Sequence, residues 1–422
     1  MALIIYIACV IYLILPTEAL SFADRMIYGV WSGKGGDKLT EALNLLAIVV
    51  SLLLFWWGSQ RRRRPGFNRA LPLAAAGMLL ISVLWSVTPS TTITRGVAYF
   101  FLVIGAIGIV EILEPDQVMR LIALIGGFAA AISLIIPQGT DAITGEFRGV
   151  FPGKNQLGQA MVIGVLGGLH GIRVSGWRGF LDIGITILCT TVAFLTKSAT
   201  SVLTIVAFLI LHIIGTFYIK GRVVRIISMF IAIVVIIIFA FLMANIDLIY
   251  SLFGKDPTLT GRTDFWPTVI DYIYERPLLG WGFAAFWIIS NPRAVEIFST
   301  IGFGINEAHN GMLQLLLDVG ALGTAFFLFL WIRNFVMAVR CMNGPAPEIG
   351  VSSLLFLVGI LLIGVSEQVL TTVDEVTAGF FLLGFMCERK LRLARQARSA
   401  VVLRSTALHF GRFASPRRED AV

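Results

Sequence analysis

The chain has 422 residues, of which 57% are hydrophobic and only 14% charged, with a mean hydropathy of +0.87. Soluble domains carry about 25% charged residues, so a soluble enzyme, a disordered chain and a repeat solenoid are excluded, whereas a chain of this size has room for roughly a dozen membrane spans. The formal charge of +8 raises nucleic acid as a partner, a reading that depends on where the basic residues fall.

Apolar runs long enough to span occur at about 2–20, 42–58, 70–87, 96–113, 120–137, 156–172, 179–195, 201–219, 225–243, 311–332, 350–366 and 375–387. They predict an all-α, polytopic membrane protein of about 12 transmembrane helices. Its parts are an N-terminal bundle of about nine spans (1–243), a long, partly helical extracytoplasmic loop (244–310), C-terminal transmembrane helices (311–388) and a basic cytoplasmic tail (389–422). With the run Arg61 to Arg64 inside, alternation places both termini in the cytoplasm and about two thirds of the 33 Lys and Arg on that face, as the positive-inside rule requires. The basic excess is then a topology signal, and no nucleic acid is needed to explain it.

Residues 1–15 contain no Lys or Arg, which argues against a cleavable signal peptide. Cys9 and Cys189 fall within spans and Cys341 and Cys387 on the reducing side, so no disulfide is expected. No phosphate-binding loop of the GxxxxGK[ST] form and no His or Cys pair at metal spacing occurs, which speaks against ATP hydrolysis and structural zinc.

Most connections are short, but the outer segment from Ala244 to Asn310 is long and rich in charge and aromatics, the usual mark of a functional loop. Within it, residues 264–274 repeat apolar side chains every three to four positions, predicting an amphipathic helix on the membrane surface with Pro267 in its first turn. His309 stands at the outer entrance of the next span. It is either a general base near neutral pH or a helix cap and interface anchor. A continuous helix from there brings Gly320 and Gly323 to within about 40° of the His309 stripe, permitting close helix packing, and its N-terminus offers an anion site. Asp318 falls on the opposite face and is expected to pair with another helix near the inner half. Glu367, Asp374 and Glu375 read as solvated loop charge, and the tail from Arg389 to Arg418 as an anchor to anionic lipid.

Read in order, His309-Asn310, nine further positions and Gly320-Ala321-Leu322-Gly323-Thr324 resemble the HN-x9-GxxGT signature of the bacterial O-antigen ligase and polysaccharide polymerase superfamily. GRTDFW (261–266) and RPLLGWGFAAF (276–286) are similar to that family's outer-loop pattern, with Arg262 at the position of its functional arginine. WSVTPSTTITRG (85–96) and FRGVFPGKNQLG (147–158) extend the likeness over most of the chain, the latter in the manner of exopolysaccharide (succinoglycan-type) repeat-unit polymerases. One departure is plain: where relatives often read Ser-Arg-Thr, this chain has Ser198-Ala199-Thr200, so the second cation falls to Lys197, or to Arg148 or Lys154.

The resemblance implies a GT-C-like glycosyltransferase at the periplasmic face of the bacterial inner membrane. Its donor and acceptor would be undecaprenyl-diphosphate-linked glycans, its surroundings inner-membrane lipids, and its neighbours the flippase, chain-length and export proteins of the same pathway. His309 would be the base and Arg262 the diphosphate clamp. Arg95, Arg276, Glu307 and Asn310 are further candidates for binding diphosphate or glycan; Glu307 would also orient His309, while Arg95 and Arg276 have an alternative reading as interfacial anchors. No Asp-x-Asp motif occurs, so fixed cations would replace a metal, no cofactor is expected, and a single base predicts inversion at the anomeric carbon. A ligase passing finished polymer to lipid A-core, and a lipid-glycan transporter or flippase without chemistry, are the competing readings.

Overall fold

The described part of each of the twelve apolar runs falls largely on a helix in the computed structural model, which describes residues 2–14, 37–60, 68–135, 145–176, 179–219, 221–244, 262–301, 305 and 307–413; residues 15–20 of the first run and 136–137 of the fifth lie outside the described residues. Among these residues the chain forms fourteen α-helices and no sheet. They are α1 (Ala2–Ile14), α2 (Asp37–Gln60), α3 (Ala70–Ile81, extended by a 3-10 turn over Ser82–Leu84), α4 (Pro89–Ile112), α5 (Pro115–Ile135), α6 (Lys154–Ser175) and α7 (Phe180–Leu195). There follow α8 (Ala199–Tyr218), α9 (Arg222–Ala244), α10 (Arg262–Glu275), α11 (Pro292–Ile301), α12 (Gly311–Met342), α13 (Pro347–Ile363) and α14 (Glu375–Phe413). Helices answer the demand that every backbone N–H and C=O in an apolar medium be bonded within its own segment. Five of them, α4, α5, α6, α8 and α12, are long and apolar enough to cross a membrane; apolar stretches in α2, α3, α7, α9 and α13 are shorter. Of the roughly twelve spans expected, five are supported by length and composition among the described residues.

Small residues set the helix contacts. A Cβ on Gly126 of α5 would lie 2.5 Å from the Gly164 Cα of α6, so the two backbones meet directly, the packing that membrane helices use when burial of apolar surface gives no preference between lipid and protein. Toward the ends of the helices polar side chains take over. His170 of α6 joins Ser352 of α13 (2.9 Å) and Asp116 of α5 (3.1 Å), and Arg173 bonds His212 of α8 (2.8 Å). The first turns of the basic tail continue α14 without a break. There Arg389 donates to the Val110 and Leu113 carbonyls that end α4, and Arg389 and Lys390 both bond Glu114, a cation at a helix C-terminus. Burial pushes the Glu114 carboxyl up, but the hydrogen bonds and charges of Lys390 and Arg389 outweigh it and hold the group below its ordinary value.

A second, smaller core lies in the long loop. Phe265, Val269, Tyr272, Ile273, Trp281, Phe286, Ala294, Ile297 and Leu317 are buried together, drawn from α10, α11, the turn between them and α12. The apolar face of α10 is therefore turned against protein and not laid on a membrane surface, because the aromatics of 281–298 offer it a closer-packed partner. The helix also starts earlier than its proline suggests: Pro267 lies inside α10, which begins at Arg262. Burial and the hydrogen bond to Glu296 push the Tyr272 hydroxyl up to about 12.

α12 is broken. Gly320 has φ 62° and ψ −169°, and the backbone of 276–286 lies across the interruption. Trp281 and Gly282 donate their N–H groups to the carbonyls of Leu317 (2.8 Å) and Asp318 (3.0 Å), while Ala321 and Leu322 donate to Pro277 (2.8 Å) and Leu278 (3.2 Å). This meeting of two main chains corrects the continuous-helix expectation for Gly320 and Gly323. Gly320 admits loop backbone, its added Cβ falling 2.3 Å from Leu278 C; an added Cβ on Gly323 would meet the Val319 side chain first and lie 3.3 Å from Met78 of α3.

Candidate functional site

His309 takes its place from the residues on either side of it. Asn310 is the N-cap of α12: its Oδ1 accepts from the N–H groups of Met312 and Leu313, both at 3.0 Å. Gln314, one turn in, accepts the Ala308 N–H (2.9 Å) and the Trp287 indole N–H (3.0 Å) on its Oε1. Between these fastenings His309 adopts φ 48°, a conformation uncommon for a side-chain-bearing residue and maintained only where surroundings demand it. The cap is Asn310, so the imidazole does no capping. The expected anion site at this terminus is corrected too: the Gly311 N–H goes to Gly364 O (2.8 Å), those of Met312 and Leu313 to the cap and that of Gln314 to Asn310 O (2.9 Å).

Two carboxylates face the ring. Glu307 Oε1 is 3.3 Å and Glu367 Oε2 3.9 Å from His309 Nδ1. Both are buried, at 6% exposure. Their remaining oxygens are held in turn: Gln368 N–H donates to Glu307 Oε2 (3.1 Å) and Asn155 Nδ2 to Glu367 Oε1 (2.7 Å). Glu307 thus stands beside His309. Glu367 is a correction, for it is no solvated loop charge; nothing local in the sequence pointed to it, because it reaches the ring from the connection between α13 and α14. Asp374 in that connection likewise caps α14, accepting the Thr377 N–H (2.7 Å), and burial raises its carboxyl. One atom each from Glu307, His309 and Glu367 lies within 4.8 Å of the others, a donor set able to hold a divalent ion.

The motif segments converge here. Asn155, in the first turn of α6, carries the 147–158 stretch to Glu367, and Thr200 in the first turn of α8 bonds Ser366 (2.5 Å). Trp266 donates its indole N–H to the Ala308 carbonyl (3.0 Å), tying α10 to the residue before His309. Arg262 is the first residue of α10, four positions before Trp266. The 85–96 stretch meets the 276–286 stretch through Thr88 and Thr92, which donate to the carbonyls of Ala285 (3.0 Å) and Phe283 (2.9 Å).

The remaining candidate cations differ in how they are held. Lys154 is ion-paired with Glu146, and Arg148 donates to the Pro152 carbonyl (3.0 Å), so both brace their own loop. Arg276 donates to Trp85 O (3.0 Å) and, like Arg293, lies 4.4 Å from the Trp281 ring centroid, which makes it a fastener of the outer core. Lys197 is exposed at the turn into α8, with φ 52°. Arg95 is exposed on α4, its charge acting on Asp318. Asp318 itself corrects an expectation: it is buried at the α12 break, facing Gln314, Thr371 and the Ala284 backbone, and does not reach toward the inner half.

Comparison with known proteins bears out the resemblance read from the motifs. The model of the O-antigen ligase family matches residues 184–328. The chain is 27% identical over 341 residues to the exopolysaccharide production protein ExoQ of Rhizobium meliloti (strain 1021), covering 76% of this chain and 77% of that protein. The matched family and the apolar helices together describe a multi-pass membrane protein.

Proposed function

We propose that this protein polymerises undecaprenyl-diphosphate-linked oligosaccharide repeat units into exopolysaccharide at the periplasmic face of the inner membrane, with about twelve crossings and both termini cytoplasmic. The observation that supports it most is the placing of His309 among the starts of α6, α8 and α12, with Trp266 holding the Arg262 end of α10 beside it. In this reading Nδ1 of His309 faces the carboxylates and Nε2 takes the proton of the acceptor hydroxyl. The acceptor oxygen attacks the anomeric carbon, the bond from that carbon to the diphosphate oxygen breaks, and the electron pair leaves with the lipid diphosphate. One displacement inverts the configuration. Arg262 clamps the departing diphosphate by bidentate hydrogen bonds, with Lys197 as second cation. Fixed cations bind a leaving group as its charge develops, so the reaction needs no metal. Lipid reaches the site between spans, and flippase and export proteins act before and after it.

The test is polymerisation in vitro by the purified protein and by His309→Ala and Arg262→Ala, each confirmed to fold. Both changes are expected to abolish elongation, and activity that survived both would remove the site. The match to the O-antigen ligase family favours, as second reading, transfer of finished polymer to lipid A-core or another acceptor. Deletion separates the two: loss of a polymerase leaves single repeats on the carrier, and loss of a ligase leaves long polymer stranded there. Vectorial movement of lipid-linked repeats without new glycosidic bonds would instead identify a transporter.

A further inference from the structure

The second carboxylate at His309 has a consequence that rests on the reading of His309 as base and deepens it. Glu307 comes from the same loop as the histidine, and Glu367 from the distant connection between α13 and α14, yet each turns one oxygen toward Nδ1. Each is also held from behind, by the Gln368 N–H and by Asn155. Two buried carboxylates this close repel one another unless a proton or a cation lies between them. A neutral ring with its proton on Nδ1 turns the positive end of that N–H toward the carboxylate oxygens and leaves the lone pair needed for catalysis on Nε2.

We propose that Glu367 is a positioning residue for the transfer reaction, acting with Glu307 to keep the imidazole proton on Nδ1 and to stabilise the imidazolium formed when Nε2 takes the acceptor proton. During that step the ring goes from neutral to a charge of +1, so the attraction of the facing carboxylate oxygens to it is greatest in the transition state, where it accelerates the reaction. Glu307 and Glu367 are the charged groups set against the ring; Lys154, paired with Glu146, stands at the start of α6 and Lys197 just before α8. Asn155 orients Glu367 and is the next member of the chain of contacts.

The experiment measures kcat and KM against pH for the full-length protein in liposomes with lipid-linked repeats, comparing wild type with Glu367→Gln, Glu367→Asp and His309→Ala at equal amounts of folded protein. Glu367→Gln retains the shape and an oxygen for Asn155 while removing the charge. Its kcat should fall about 10- to 100-fold with KM changed less than about threefold. A purely structural role would instead raise KM or lower the amount of folded protein without changing kcat of what remains. Glu367→Asp should recover part of the loss. Wild-type kcat in Glu367→Gln, with His309→Ala inactive, would overturn this proposal alone. Full activity in His309→Ala would overturn the base itself. Loss of wild-type activity in EDTA, with recovery on adding magnesium or manganese, would assign the three side chains to a metal and overturn the proton assignment.

Discussion

Substitution of Gly320 by alanine tests whether the break in α12 holds the outer loop in register with the site. The glycine occupies φ 62°, and a Cβ there would fall 2.3 Å from Leu278 C and 2.4 Å from its carbonyl oxygen, both main-chain atoms that cannot rotate aside. The backbone conformation alone costs an alanine about 1–3 kcal/mol. Moving 276–286 away to relieve the overlap gives up the bonds from Ala321 to Pro277 and from Leu322 to Leu278, at about 0.5–1.5 kcal/mol each. The sum is about 2–6 kcal/mol, and the hard overlap puts the expected value toward the upper end. Thermal unfolding in detergent should show a midpoint lowered by several degrees, on the order of 5–10 °C. Polymerisation by the remaining folded protein should fall further still, since α10 and its Arg262 end are hung from the same loop. Gly77→Ala is the control: nothing lies within 4 Å of its added Cβ, and it should be neutral or slightly stabilising. A Gly320→Ala protein with the wild-type midpoint and rate would show that the interlocked main chains do not hold the loop.

Two other perturbations probe the supports of the site and the opposite end of the bundle. Asn310→Ala removes the cap of α12 and should cost about 1 kcal/mol; because the same residue fixes the turn carrying His309, kcat should drop while KM stays near wild type, and an unchanged kcat would show that the cap does not position His309 for the reaction. Glu114→Gln removes the carboxylate held by Arg389 and Lys390. A carboxyl lowered in the folded state adds stability at pH values above its unfolded value, and that stability is lost as pH falls through the folded one. The variant should therefore unfold at a slightly lower temperature at neutral pH and match wild type in acid, the effect being small because Glu114 is half exposed; an equal difference at both pH values would refute the assignment.

The motif residues were legible in the sequence because they are short-range patterns. His309-Asn310 followed by paired glycines, Arg262 ahead of an aromatic run and a 147–158 stretch with its own character all lie in segments that the structure brings toward one corner. Other readings failed for a common reason. The amphipathic stripe of α10 states that one face must be buried but does not name its partner, and the aromatics of 281–298 took the place assigned to lipid. The glycine spacing assumed an unbroken helix, and periodicity carries no record of a loop threaded across it.

Composition and apolar periodicity by themselves determined that the chain is helical and bound to a membrane, since each segment must satisfy its own backbone in lipid whatever its neighbours do. They could not determine which side chains face His309. Glu367 stands 58 residues beyond it in a stretch with ordinary loop character, and only the packing of α13 and α14 against α12 brings its carboxylate to within 3.9 Å of the ring. Charge acts through space and not along the chain, so an acid that reads as solvated from its neighbours in sequence became, on folding, a buried partner of His309.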